Sequence, residues 1–319
     1  MTERARESTP RIATESIPAD HAAALAAMAD ARLMQSRVES PWRMAGRRFF
    51  RHRLAAVGLV VSILLILSAV LAPWLAPDDP LRINVLKKFV APGEDGFLLG
   101  TDELGRDLLS RLLYAGRISL SVGFVAMLVT VSIGTIVGLV SGFYGGWVDT
   151  VLMRITDALM CFPTIFLLLV LASFVGPSLM SITIIIGVTA WMELARILRN
   201  QTLALRERDY VHAARSLGAP NSRILFRHLL PNSLAPIMVS ATLNIANAVL
   251  LESYISYLGY GIQPPDASWG NMLNKAQSYF DDAPWVAIFP GLIITLTVVS
   301  FNFIGDGLRD ALDPRSKRG

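Results

Sequence analysis

Between two long uncharged runs stands Arg206-Glu207-Arg208-Asp209-Tyr210-Val211-His212-Ala213-Ala214-Arg215-Ser216-Leu217-Gly218, and soon after it His228-Leu229-Leu230-Pro231-Asn232. Over 207–217 the helical period puts Tyr210, Ala213, Ala214 and Leu217 at i, i+3, i+4 and i+7, one apolar face. Arg208, His212 and Arg215 occupy the polar face, with Asp209 in the first turn. Paired alanines keep the apolar face shallow, so another surface can approach it closely. Gly218 ends the helix, because glycine takes the left-handed conformation at little cost. Pro220-Asn221 restarts the chain, Asn221 or Ser222 caps a second helix, and Pro231 halts it. The expected product is a short, stiff helix–turn–helix held at both ends, so that moving it moves what flanks it.

What flanks it is apolar. Residues 54–77, 118–148, 158–192, 229–251 and 283–305 carry no charged side chain. The 319-residue chain is 53% hydrophobic and 17% charged, with mean hydropathy +0.49, which excludes an ordinary soluble domain. A helix needs about 20 apolar residues to cross a bilayer, and Gly176-Pro177 marks a turn that divides 158–192 between two crossings. The reading is an all-α membrane protein of six transmembrane helices near 54–76, 117–140, 152–175, 178–199, 234–258 and 285–305. The first apolar run begins behind a long polar tail, which argues against a cleaved signal peptide. The tail's alanine-rich stretch, Ala22 to Ala31, reads as a loose helix. Cys161 is the single cysteine, so no internal disulfide forms.

Six spans put both termini on one side. That side holds 10 Lys and Arg in 1–53, 1 in 141–154, 7 in 195–235 and 4 in 309–319, against 6 in 77–117 and 1 in 259–284 on the other. Cytoplasmic loops carry the basic excess, so both termini are expected in the cytoplasm. The basic charge is then a topology signal, and the Arg clusters lack a nucleic-acid reading motif. The chain divides into a cytoplasmic tail 1–53, a first span with its external segment 54–116, a core 117–310 containing the loop 206–235, and a cytoplasmic end 311–319.

Several side chains need placing. Thr101 or Asp102 is expected to cap an external amphipathic helix whose Leu108, Leu109 and Leu112 share one face. Gly134, Gly138 and Gly142 recur at four-residue spacing, a signal for close helix packing within the chain or with a second membrane subunit. Arg154 and Asp157 are expected to pair on the third span, and Glu193 with Arg196 on the fourth. Asn244, Asn247 and Glu252 widen into a polar face on the fifth span. An acid in a span faces protein or a water-filled path, so this face either lines a translocation path or makes interhelical hydrogen bonds.

The loop resembles the cytoplasmic loop of ABC importer permeases. Ala213, Ala214, Gly218, Leu230 and Pro231 match its register. His212 stands in place of the general glutamate and His228 in place of isoleucine, as in the peptide-permease branch, whose loops look like Asp-Tyr-Val-x-Ala-Ala-Arg…Gly…His-x-Leu-Pro-Asn. Leu99-Gly100-Thr101-Asp102-Glu103-Leu104-Gly105-Arg106-Asp107, Leu258-Gly259-Tyr260-Gly261 with Trp269-Gly270, and Gly305-Asp306-Gly307-Leu308-Arg309-Asp310-Ala311-Leu312-Asp313-Pro314 extend the likeness over about 45–314. These resemble the dipeptide/oligopeptide/nickel group and its C-type subunit. The resemblance implies the type I ABC importer (MetI-like) permease fold in a bacterial inner membrane. It also implies a second permease as heterodimer partner, two cytoplasmic ATPase subunits docked on 207–231, and an external substrate-binding protein.

ATP and Mg would be used by the partners. This chain binds no cofactor and no metal on this reading, and none of its four lysines (Lys87, Lys88, Lys275, Lys317) sits in a P-loop. The rival reading is an ion-coupled secondary transporter using Glu252, but the halves show no inverted repeat. Enzyme activity finds no support, since His21, His52, His212 and His228 all lie outside the spans and no His-Glu-x-x-His occurs.

Overall fold

A computed structural model describes residues 41–274 and 276–313. The alanine-rich part of the tail, Lys275 and the last six residues lie outside that range. The chain divides after Met44 into two compact units, and the long apolar helices all belong to the second. The described residues are helical apart from turns and one isolated bridge, Thr101 to Asp107. In order they are α1 (Pro41–Arg51), α2 (Arg53–Val70), α3 (Leu108–Tyr144), α4 (Gly146–Met160), α5 (Thr164–Val175), α6 (Leu179–Arg206), α7 (Asp209–Ser216), α8 (Leu234–Tyr257), α9 (Trp269–Asn274) and α10 (Trp285–Leu312).

Five of these, α2, α3, α6, α8 and α10, are long and apolar enough to cross a membrane. The expected third span, 152–175, is broken. Its two arms, α4 and α5, meet at 87° and make a sixth span only if taken together. Pro163 is the cause. It offers no N–H and its ring pushes Phe162 out of the helical region, so the helix stops at Met160 and restarts at Thr164. With 12 residues, α5 spans about 18 Å, well short of the bilayer's apolar core.

The external helix expected from Thr101 also changes. Residues 101–107 form a turn, and the cap is Asp107, whose carboxylate accepts from the backbone N–H of Ser110 at 2.7 Å. From there α3 runs 37 residues without a break, joining the expected interfacial helix to the second span. Asp102 does something else: its carboxylate accepts from Arg106 Nε at 2.7 Å and Arg111 Nη1 at 2.9 Å, all three residues being buried. Gly105, at φ +73°, closes the turn; a Cβ there would lie 1.9 Å from the Asn84 carbonyl oxygen.

The most extensive helix contact is between α3 and α6. The glycine stripe makes it. A Cβ on Gly134 would lie 3.0 Å from the Trp191 oxygen, on Gly138 2.7 Å from that of Ala195, and on Gly142 2.7 Å from that of Arg199. Gly187 answers from α6, where a Cβ would sit 2.6 Å from Val129 Cβ. Lipid gives helices no hydrophobic reason to associate, so this close packing is itself the attraction. The stripe therefore serves packing within the chain. On the other flank Gly58 of α2 meets α10, with the Ser300 oxygen 2.6 Å from an added Cβ. The outward side of α2, with Leu54, Val57, Val60, Leu64 and Leu67, is exposed apolar surface suited to acyl chains.

Gly138→Leu is expected to cost about 3 kcal/mol, the upper end of overpacking penalties, seen as a lower thermal midpoint of the purified protein. Gly291→Leu, where nothing lies within 4 Å of an added Cβ, should leave the midpoint within the small range of ordinary surface changes.

Candidate functional site

The loop after α6 is built on one buried residue in each of three places. Val211, Ile224 and Leu229 are fully buried and pack with Leu139 and Phe143 at the end of α3. Val211 escaped the periodicity argument because it lies off the Tyr210, Ala213, Ala214, Leu217 stripe. Its signal was its apolarity in a polar loop. The stripe itself faces outward: Tyr210 is 41% exposed and Leu217 88%. Phe226, also missed, is 69% exposed. The surface for an approaching partner is thus free, while the loop is pinned from behind.

Helix α7 is two residues shorter at its start and one at its end than the expected 207–217. Asp209 in its first turn and Arg215 in its last complement the helix dipole. Its end is closed by two reverse bonds, Ala219 N–H to the Ala214 oxygen and Gly218 N–H to the Arg215 oxygen, both 3.0 Å. Gly218 has φ +77°, the backbone that pattern requires. His212 Nε2 lies 3.7 Å from Glu207 Oε2, an ion pair when the imidazole is protonated. The His228 ring lies 6.2 Å from that of Tyr210, joining the two arms of the loop.

Pro231 does not halt the second arm. Helical turns run on through Leu230–Asn232 to Ser233. The preceding turn, Ile224–Leu229, is π-helical. Its i→i+5 bonding brings Ile224 and Leu229 onto one face, so both reach the anchor. Carbonyls loosened by the wide turn are taken by side chains: Ser233 Oγ donates to the Leu229 oxygen at 2.9 Å, and Asn232 Nδ2 to that of His228 at 2.6 Å.

Ion pairs tie the neighbouring helices to this base. Arg199 of α6 holds Asp149 of α4 through Nε and Nη2, and Ser141 donates to the same carboxylate. Asp157 pairs with Arg196, not with Arg154, which leaves Glu193 without the partner expected for it. Arg206 Nη1 donates to the Gly142 and Phe143 oxygens at 3.3 Å, capping the end of α3.

The polar residues of α8 do not stay together. Glu252 is fully buried, and accepts from Ser256 Oγ at 2.7 Å and Ser119 Oγ at 3.0 Å. Ser119 Oγ also accepts from Trp269 N–H at 3.2 Å, so one carboxylate fastens α3, α8 and α9. Asn244 and Asn247 instead line a cavity of about 320 Å³ together with Glu193. Its walls come from α6, from α8 and from the α4–α5 break.

Residues 134–318, more than half of the chain, match the binding-protein-dependent transport system inner membrane component family. The chain belongs to that family. The permease also matches, over residues 40–92, the N-terminal transmembrane domain of oligopeptide transport permease C. It is 41% identical over 278 residues to the dipeptide transport system permease protein of Alkalihalophilus pseudofirmus, covering 87% of this chain and 91% of that one. Identity is also 41% over 285 residues to the oligopeptide transport system permease protein of Haemophilus influenzae (89% and 92% covered). The glutathione transport system permease protein of Pectobacterium atrosepticum is 41% identical over 280 residues (88% and 93%). The permease is therefore a multi-pass inner-membrane subunit of an ATP-driven importer, with hydrolysis in partner subunits. Its family works with ATPases, a binding protein and a second permease. The ion-coupled reading falls with that assignment.

Glu252→Ala should destabilise the purified permease by roughly 2–4 kcal/mol, through a cavity and stranded hydroxyls. Glu252→Gln, which keeps an acceptor oxygen, should cost less than half as much in the same thermal unfolding measurement.

Proposed function

We propose that the permease carries peptides or related small solutes, received from an external binding protein, and that 207–231 is the surface on which a cytoplasmic ATPase docks. The observation that carries the docking role is the loop's two-sided construction. Val211, Ile224 and Leu229 fix it to α3, while Tyr210, Leu217 and Phe226 stay bare. Water-facing protein surfaces rarely carry large apolar patches unless a partner covers them. Arg208, Asp209, His212 and Arg215 supply the polar rim, and Ala213 and Ala214 keep the centre shallow. Pro231 and Gly218 set the angles of the two arms. Both termini lie in the cytoplasm on this reading, in keeping with the basic excess of that side. ATP and Mg are bound by the partner, not by this chain.

The peptide class rests on the relatives, whose names cover dipeptides, oligopeptides and glutathione. The cavity holding Asn244 and Asn247 is this chain's share of the path, completed by a second, different permease subunit. Glu252, closed in by hydroxyls, braces that path from behind.

Leu217→Asp leaves the buried anchor untouched, so the permease should insert and pair normally. Co-purification of the ATPase should fall more than tenfold, as for loss of an interface anchor. Gly218→Val should insert yet abolish ATP-dependent uptake of a labelled dipeptide into vesicles, because the residue cannot hold φ +77°. Unchanged ATPase binding and uptake in both variants would refute the docking role.

A further inference from the structure

Glu193 is a span carboxylate that lines a cavity without an ion pair or hydrogen bond among the described residues. It lies on α6, exposed into the cavity it shares with Asn244 and Asn247. Among the described residues it makes no ion pair and no hydrogen bond, since Arg196 turns to Asp157 on α4 and Arg199 to Asp149. Acids on the neighbouring helices are spoken for: Glu252 by serine hydroxyls, Asp149 and Asp157 by guanidinium groups. An acid on a membrane-spanning helix is expensive unless water or a partner charge reaches it. Around it the lining offers further oxygen: the Thr164 and Thr189 hydroxyls and the two asparagine side chains. Asn244 spends one of its two amide N–H groups on the Ser240 oxygen at 2.8 Å, and its side-chain carbonyl oxygen is available as an acceptor. The cavity thus offers one acidic side chain and several acceptors, and no basic side chain lines it.

We infer that Glu193, with Asn244 and Asn247, forms a subsite for the positively charged amine of a solute in transit. This rests on the cavity being part of the path. A protonated amine donates up to three hydrogen bonds, and the acceptors here are of the number and kind to take them. The subsite orders the passing solute by its charged end and disfavours anions, without needing the affinity that a binding protein provides.

The test uses the assembled transporter in membrane vesicles, with Cys161→Ser removing the chain's only cysteine and Asn247→Cys placing a thiol in the cavity. Modification of this chain is followed by mass, with methanethiosulfonates bearing either an aminoethyl or a sulfonatoethyl group. The cationic reagent is expected to react roughly tenfold faster, and adding Glu193→Gln should bring the ratio to about one. A ratio that Glu193→Gln leaves unchanged would overturn the subsite while keeping a wet path. Absence of reaction with either reagent would mean that lipid or the second permease fills the cavity, and would overturn the subsite and the path together. Co-purification of the ATPase, unaffected by either result, keeps the docking role separate.

Discussion

The close approach of α3 and α6 sets the position of everything on the loop side of the molecule. In a bilayer that approach depends on small side chains meeting backbone, since apolar bulk gains nothing by leaving lipid. Gly134, Gly138, Gly142 and Gly187 bring the two helices together, and the contacts at Gly142 put Arg199 and Thr202 against the end of α3. From there Arg199 can hold Asp149 and Arg206 can cap α3. The loop's anchor needs the same registry, because Leu139 and Phe143 lie on the last turns of α3. If α6 slid by a turn, the ion pairs, the cap and the loop would lose their partners together.

Charge follows a strict economy around that frame. The turn ahead of α3 buries Asp102 between two arginines, an arrangement in which loss of the acid would strand two cations. At the other edge, Asp149 and Asp157 each reach across from α4 to an arginine of α6. Among the described residues Glu252 meets no counter-charge but has hydroxyl donors from two elements. Glu193 stands open into a cavity, and Asp306 stands open near the end of α10. Of these two, Glu193 faces a cavity lined by further oxygen groups, which suits something that arrives later.

Much of this was legible in the sequence. The apolar runs announce the spans, the glycine spacing announces a close contact, and the loop's register with its Gly218 announces a capped helix. What was not legible depends on distance between segments. The Arg154–Asp157 and Glu193–Arg196 pairs were sound by helical spacing, yet Asp157 and Arg196, thirty-nine residues apart, find each other instead. Asn244, Asn247 and Glu252 fall within one broad arc of α8, but α3 and α9 close over one edge of that arc and the cavity opens at the other. The break at Pro163 had a visible cause, and the surrounding apolarity outweighed it in the reading. Val211 was hidden for a simpler reason: a lone β-branched residue has no period.

The connection between loop and cavity follows from which elements each one uses. The loop leaves α6 and enters α8. Those same two helices carry Glu193 on one wall of the cavity and Asn244 and Asn247 on the other. The third wall, at the α4–α5 break, is tied to α6 by Asp149–Arg199 and Asp157–Arg196, while Leu168 and Ala172 of α5 share a core cluster with Ala248 and Ile255 of α8. A force on the loop is also delivered to α3 through Val211, Ile224 and Leu229. Helix α3, about 55 Å long at the standard rise, reaches from the loop's anchor back to the turn capped by Asp107. Any displacement of the loop that turns α6 relative to α8 therefore changes the width of the cavity directly. The same displacement arrives at the far end of α3 through one unbroken helix, so the two ends of the bundle cannot respond independently.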